Sequence, residues 1–248
     1  MSRLSVTIVA WNEEERLRAC LESVAWADEI IVVDSGSTDD TVAIARRMAT
    51  RIEVRDWPGY GEQKNYAAAI ASNDWILSID ADERVTTELA GEIRGAIDSE
   101  SGPAGYRIPR VSYYLGRWLH STDWYPDFQL RLYNRRKGSW NAQRVHESVV
   151  LSGAPGLLRR ELQHYPYRNI THHVQTIDRY TTLAAEEWLA AGRRATALQA
   201  FLHTAFAFLR NYLLKGGFRD GSAGLIVSVL NSYYVFLKFA KLWERQSR

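Results

Sequence analysis

Trp75-Ile76-Leu77-Ser78-Ile79-Asp80-Ala81-Asp82 opens as an apolar run and closes on two carboxylates one residue apart. The run has the length and composition of a buried strand, so its acidic end falls where open α/β sheets bind ligands, at the carboxyl ends of the strands. Side chains alternate across a strand, but where the pleat relaxes at its end Asp80 and Asp82 can both turn into one crevice. Paired carboxylates there suit a metal-bridged diphosphate. Asp-x-Asp also occurs by chance on solvated loops, so its weight comes from the segments around it.

Upstream, Leu4-Ser5-Val6-Thr7-Ile8-Val9 reads as a buried strand, followed by a helical stripe of Leu17, Cys20, Leu21 and Val24. Ile30-Ile31-Val32-Val33-Asp34 is a second strand ending in a carboxylate. The turn Ser35-Gly36-Ser37-Thr38-Asp39-Asp40 follows, with Ser37 the expected N-cap of the next helix and Asp40 at its capping-box position. A third strand-helix pair fits Ile52-Glu53-Val54 and the stretch from Gly61 to Ile70. Strands alternating with helices imply a mostly parallel sheet with right-handed crossovers, which brings Asp34 and Asp80 to one edge. The expected fold class is α/β, a Rossmann-like sheet with flanking helices and a C-terminal helical extension.

Composition bounds the function. The chain has 248 residues, enough for one α/β domain and a smaller appendage, with expected boundaries at 1–168 and 169–248. A formal charge of +2 gives no electrostatic case for nucleic-acid binding. The single cysteine, Cys20, lies on the apolar stripe of the first helix, which favours a buried thiol and excludes an internal disulfide framework. Met1-Ser2-Arg3-Leu4 runs almost directly into a strand without the pattern of a secretion signal, so a cytoplasmic location is expected. Gly59-Tyr60-Gly61 lacks the spacing of a dinucleotide fingerprint, and no Walker sequence is present.

Trp118, Trp124, Tyr125 and Trp140 belong to an aromatic cluster suited either to the core or to the walls of a sugar-acceptor pocket. From about Ile170 helical periodicity takes over. No charged residue occurs from Gly221 to Leu237, near the short limit for a bilayer span, and Gly224, Ser228, Asn231 and Ser232 make it a poor one. Leu225, Val229, Tyr233, Phe236, Ala240 and Trp243 form an apolar stripe, while Lys238, Lys241 and Arg245 share another face. That pattern fits a helix in the membrane interface, or one packed on the catalytic domain or a second subunit. His164 and the pair His172-His173 have no matching ligand set in their spacing and are assigned no metal.

The segments Val6-Thr7-Ile8-Val9-Ala10-Trp11-Asn12-Glu13-Glu14, Val33 through Thr41, Gln63-Lys64-Asn65 and Asp80-Ala81-Asp82 together resemble the ordered signature of glycosyltransferase family 2, whose fold is GT-A. Trp124 through Tyr133 and Val145-His146-Glu147 are similar to a bacterial subgroup that builds the lipopolysaccharide core, including β-1,4-glucosyltransferases acting on heptose. The resemblance implies that Ala10, Glu13, Asp34 and Lys64 surround the nucleotide, with Asp34 near the base. It also implies that Asp80 approaches the ribose or sugar and that Asp82 binds a divalent metal, Mg²⁺ or Mn²⁺. Such an ion would neutralise the departing diphosphate through hard oxygen ligands. UDP-glucose is the implied donor and a lipid-anchored saccharide the implied acceptor, at the inner face of the cytoplasmic membrane.

Inverting transfer, usual in the family, needs a carboxylate base, and Glu147 is the first choice. The chain departs from the common Glu-Asp pair, so Asp127 after Pro126 is the runner-up, with a plain turn residue as its alternative reading. His146 either completes the metal shell or orients Glu147. Arg131 either forks onto the diphosphate or pairs with a carboxylate. Two other functions compete. A sugar nucleotidyltransferase normally opens with a basic glycine-rich loop, whereas Ala10-Trp11-Asn12-Glu13-Glu14 is acidic; a non-catalytic nucleotide-sugar-binding membrane adaptor would not need the intact carboxylates.

Overall fold

The computed structural model describes residues 2–99, 101–141 and 147–246. These form two compact units, Met1–Arg110 with Phe128–His164 and Val111–Asp127 with Tyr165–Arg248.

In the first unit, β1 (Leu4–Ala10), α1 (Leu17–Ser23), β2 (Glu29–Asp34), α2 (Thr41–Met48), β3 (Arg51–Val54), α3 (Tyr60–Ala69) and β4 (Trp75–Asp80) alternate as their periodicities require. After them come β5 (Glu83–Val85), α4 (Thr87–Ile97) and β6 (Gly105–Tyr114), the last of which runs on into the second unit with β7 (Arg117–Leu119). β8 (Asp127–Asn134), β9 (Gly138–Trp140), β10 (Val149–Leu151), β11 (Gly156–Leu157) and β12 (Leu162–His164) complete the strands. The sheet order is β3-β2-β1-β4-β8-β6-β12-β5, with β7 and β11 on β6. β3, β2, β1 and β4 are parallel, whereas β8 runs antiparallel to β4 and β12 antiparallel to β5.

β2, β1 and β4 are buried and largely apolar because both faces are covered, whereas the edge strand β3 is partly exposed. One face packs Val6, Ile8, Val32, Leu77 and Ile79 on the Leu17, Cys20, Leu21 and Val24 stripe of α1. The other packs Ile31, Val33 and Ile76 on Ala67 and Ala68 of α3. Register does the rest: Ala10 pairs with Asp34 and Val9 with Asp80, so both carboxylates end their strands on either side of the end of β1.

One local expectation fails. α2 begins at Thr41 with no side-chain cap; Ser37 instead accepts the Asn12 N–H and donates to Asp34, because the loops after β1 and β2 use it to hold each other. Gly138-Ser139-Trp140 forms β9 and pairs with β10. The Asn65 side chain bonds both the N–H and the C=O of Trp140, at 2.9 and 2.8 Å, and fixes that backbone extended.

The second unit contains α5 (Ile170–Ala190), α6 (Ala197–Leu209) and α7 (Gly221–Gln246). His173 stacks on Tyr167 at 3.8 Å between ring centroids, with its Nδ1 3.1 Å from the Tyr114 hydroxyl. The cationic face of α7 lies against α5. Lys241 donates to Asp178, Thr181 and Thr182, Arg245 meets Glu186 at 3.2 Å, and Lys238 sits 4.3 Å from the Trp188 ring. These contacts tie the basic residues of α7 to α5 within the second unit. Gly217–Gln246 meets the length and apolarity of a membrane span.

Candidate active site

The loops that leave β1 and β2 are tied into one wall. Asn12, in the left-handed region at φ 55°, accepts the Thr38 N–H, the Glu13 N–H donates to Thr41 Oγ1 at 2.7 Å, and the Asp40 N–H donates to Glu14. Ala10 accepts the Ser35 N–H through its carbonyl. Asp34 is sealed from solvent, and Oδ1 accepts the Gly36 and Ser37 N–H groups at 2.9 and 2.8 Å while Oδ2 accepts the Ser37 hydroxyl. Its carboxylate therefore shapes its own turn.

Gln63, Lys64 and Asn65 fix the rotation of α3 by reaching three different partners. Gln63 donates to Ser35 Oγ, Asn65 grips Trp140, and Lys64 points between carboxylates. Lys64 Nζ is 3.1 Å from Asp80 Oδ1, 3.3 Å from Glu147 Oε1 and 4.4 Å from the centre of the Trp140 ring. On the other side of Asp80, Arg131 pairs with Oδ2 and also donates to Glu83 Oε1 at 2.7 Å. Glu83, fully buried, accepts Arg110 at 2.9 Å and the Asp80 N–H at 3.0 Å.

Three carboxylates (Asp80, Glu83, Glu147) thus meet three cations (Lys64, Arg110, Arg131). The cluster is buried at Lys64, Glu83 and Arg131 and half-buried at Asp80, Glu147 and Arg110, and it is tolerable because its charges balance. Burial would push the Asp80 carboxyl up, but Arg131 and then Lys64 outweigh it and hold the group well below the usual carboxylate range. Burial likewise opposes the Arg131 charge, yet Asp80 and Glu83 raise its pKa above the ordinary arginine value.

Asp82 stands apart from this cluster. Its Oδ2 lies 3.5 Å from His164 Nε2 and 3.7 Å from Arg16 Nη1, and Arg16 in turn is 3.9 Å from Glu13. Burial pushes its carboxyl up, and the neighbouring His164 more than offsets this and brings it below the ordinary value. Cys20, whose thiol faces the Asp80 carbonyl at 3.6 Å, is pushed well up by burial and then by Glu83, Asp82 and Asp80, so it stays a protonated thiol.

The structure therefore brings together Lys64, Asp80, Arg131 and Glu147, and sets Asp82 beside Arg16 and Glu13. Asp127 opens β8 and belongs to the second unit. His146 lies outside the described residues. Trp140 joins the charged cluster, whereas Trp124 packs with Tyr114, Tyr167 and His173 in the second unit. Sequence reasoning missed Glu83 and Arg110, and weighed His164 as a metal ligand only to leave it unassigned. Glu83 directly follows the Asp-Ala-Asp motif and carried a local signal; Arg110 and His164 carried none, since only pairing between distant strands brings them in.

Residues 5–162 match the profile of glycosyl transferase family 2. The lipopolysaccharide core biosynthesis glycosyltransferase LpsC of Rhizobium meliloti (strain 1021) is 32% identical over 98% of this chain and 93% of its own length. An uncharacterized glycosyltransferase of Rickettsia typhi (strain ATCC VR-144 / Wilmington) is 31% identical over 98% of this chain and 88% of its own. Among solved structures, glucosyl-3-phosphoglycerate synthase from Mycobacterium tuberculosis, in complex with Mn²⁺, UDP-glucose and phosphoglyceric acid, shares 29% identity at a TM-score of 0.38. That match covers 46% of this chain and 45% of the synthase, so the chain spans under half of that enzyme's length. With the profile running from β1 to β12 and a relative similar from end to end, the chain belongs to glycosyl transferase family 2.

Proposed function

We propose that this glycosyltransferase moves glucose from UDP-glucose, with inversion and with help from Mg²⁺ or Mn²⁺, onto a lipid-anchored saccharide of the lipopolysaccharide inner core. Residues 1–168 would form the catalytic domain and 169–248 a helical region at the inner face of the cytoplasmic membrane. The observation that carries the reading is the paired arrangement at the end of β4: Asp80 locked between Lys64 and Arg131, and Asp82 facing His164.

The donor set fits a divalent ion. Asp82 Oδ2 and His164 Nε2 are close enough for one cation to bind both, a hard oxygen with an imidazole nitrogen. Among the described residues no group of three or more His, Cys, Asp or Glu side chains gathers to cage an ion. Mg²⁺ ordinarily takes one or two protein carboxylates and fills its shell with phosphate and water, so a sparse site suffices. A bound ion would supply charge neutralisation for the departing diphosphate. Asp80, with both oxygens engaged by cations, is better read as the anchor of Lys64 and Arg131 than as a ligand.

Lys64 and Arg131 present positive charge where the diphosphate would lie. Arg131 also keeps a buried Nε–H that no described protein group accepts, a donor suited to a phosphate oxygen. Glu147 would take the proton of the acceptor hydroxyl as its oxygen attacks the anomeric carbon. The bond to the diphosphate oxygen then breaks with its electron pair on the leaving group, from the opposite face of the sugar. Lys64 orients the Glu147 carboxylate. Ala10 and Glu13 flank the nucleotide on the wall next to Asp34, and that residue acts on the base through the turn it shapes. Asp127 is the alternative base.

The test is proton NMR of the product formed from UDP-glucose and lipopolysaccharide precursors lacking outer sugars. The expected product carries a β-linked glucose from the α-linked donor. A product retaining the α configuration, or no transfer from any UDP-sugar, would overturn the reading.

A further inference from the structure

α6 is built the opposite way round from an ordinary packed helix. The apolar stripe of a surface helix normally faces the core. Here the buried positions are Ala200 and Ala207, while Leu198, Phe201, Leu202, Phe206 and Leu209 share an outward face, Phe201 at 66% exposure. The apolar run continues past the helix end into Leu213 and Leu214, the latter 77% exposed, and reaches exposed Phe218. Contiguous apolar surface on this scale marks a contact site rather than ordinary scatter.

The charges around it indicate what covers it. Between Glu187 and Glu244 the only acidic residue is Asp220. Asp220 is buried, accepting the His120 N–H at 3.1 Å and the Ser121 hydroxyl. Arg193, Arg194, Lys215 and Arg219, in contrast, are exposed at the two ends of α6. An apolar face bounded by cations at both ends, with the neighbouring exposed acid Asp123 neutralised by Arg210, is complementary to an anionic lipid surface, and two such faces on copies of this chain would repel each other.

We propose that the outward face of α6, together with the turn from Arg210 to Arg219, inserts into the interface of a bilayer containing anionic lipid, with the helix lying in the membrane plane. The proposal deepens the reading of a lipid-anchored acceptor and rests on it for its biological sense, but the physical claim stands on this helix alone.

The test is flotation of the full chain with phosphatidylcholine vesicles, with and without phosphatidylglycerol, in the absence of donor, acceptor and glycolipid. The protein is expected to float with the anionic vesicles and to stay down with the neutral ones. The triple variant Phe201→Ser, Leu202→Ser, Phe206→Ser should lose on the order of tenfold in partitioning. Because these side chains are exposed, its thermal unfolding should match the parent. The pair Lys215→Glu and Arg219→Glu should lose the anionic preference with the apolar face intact. Flotation that ignores both phosphatidylglycerol and these variants would overturn the proposal. So would a protein that never floats but whose dimer, seen by light scattering, is split by the triple variant, since a second copy would then cover the face. Flotation as expected alongside failed sugar transfer would leave this proposal standing and remove the transferase reading.

Discussion

His164 Nε2 lies 3.5 Å from Asp82 Oδ2, joining the last strand of the first unit to the loop after β4 through the antiparallel pairing of β12 with β5. If the pair holds the cation, Asp82→Asn and His164→Ala should each weaken Mn²⁺ binding in the presence of UDP. The loss should be at least the roughly 10- to 100-fold that removing even an outer partner of a metal ligand produces. Electron paramagnetic resonance titration of Mn²⁺ reads this directly, and Glu147→Gln should leave it unchanged.

Glu147 is the proposed base, and in a glutamine variant the amide oxygen can still accept from Lys64. Glu147→Gln should therefore lower kcat by about 10² to 10⁴-fold with donor affinity held. Asp127→Asn should change kcat little. Steady-state kinetics that reverse these two outcomes would assign the base to Asp127.

Much of this site is legible in the sequence. The parallel strands announce themselves because burial on both faces leaves continuous apolar runs, and register then forces Asp34 and Asp80 to neighbouring strand ends. Lys64 was legible only through its motif, for a lysine among small residues on a short helix carries no periodic signal. The partners that complete the site were not legible. His164 and Arg110 reach it through strand pairings whose register no local pattern encodes, and Ser37 looked like a helix cap because its role in bridging two loops is long-range. On α6 the packing is carried by Ala200 and Ala207, which leaves the larger apolar side chains outward.

Arg131 is buried between Asp80 and Glu83, and its loss would take a cation from each, leaving Asp80 with Lys64 and Glu83 with Arg110. Arg131→Met should destabilise the protein by about 3–5 kcal/mol, the usual result of breaking a buried pair from one side. Chemical denaturation measures this. Asp82→Asn, whose contacts with Arg16 and His164 exceed 3.4 Å, should be far milder.

His173 is 2% exposed, and burial, reinforced by neighbouring His172, lowers its pKa to about 4. The unfolded chain protonates this residue below about 6.5. Between those values the unfolded state binds the extra proton, so stability is complete above about pH 6.5 and falls as the pH drops toward 4. The loss attributable to this residue is a few kcal/mol at most. In thermal melts across that window, His173→Phe should flatten the slope.

Gly224 faces the Gly217 carbonyl, and a Cβ there would come within 1.9 Å of its oxygen. Backbone cannot yield as a flexible side chain does. Gly224→Ala should therefore cost about 1–3 kcal/mol or more despite its higher helix propensity, and a raised melting temperature would contradict the packing of α7 on the turn before it.

The most direct test of the whole account is calorimetric titration of UDP with and without Mn²⁺, on the parent and on Asp82→Asn. The account expects binding that strengthens at least about tenfold with Mn²⁺ in the parent and gains nothing from the metal in the variant. UDP binding of equal strength with and without metal in both proteins, or no binding in either, would contradict it.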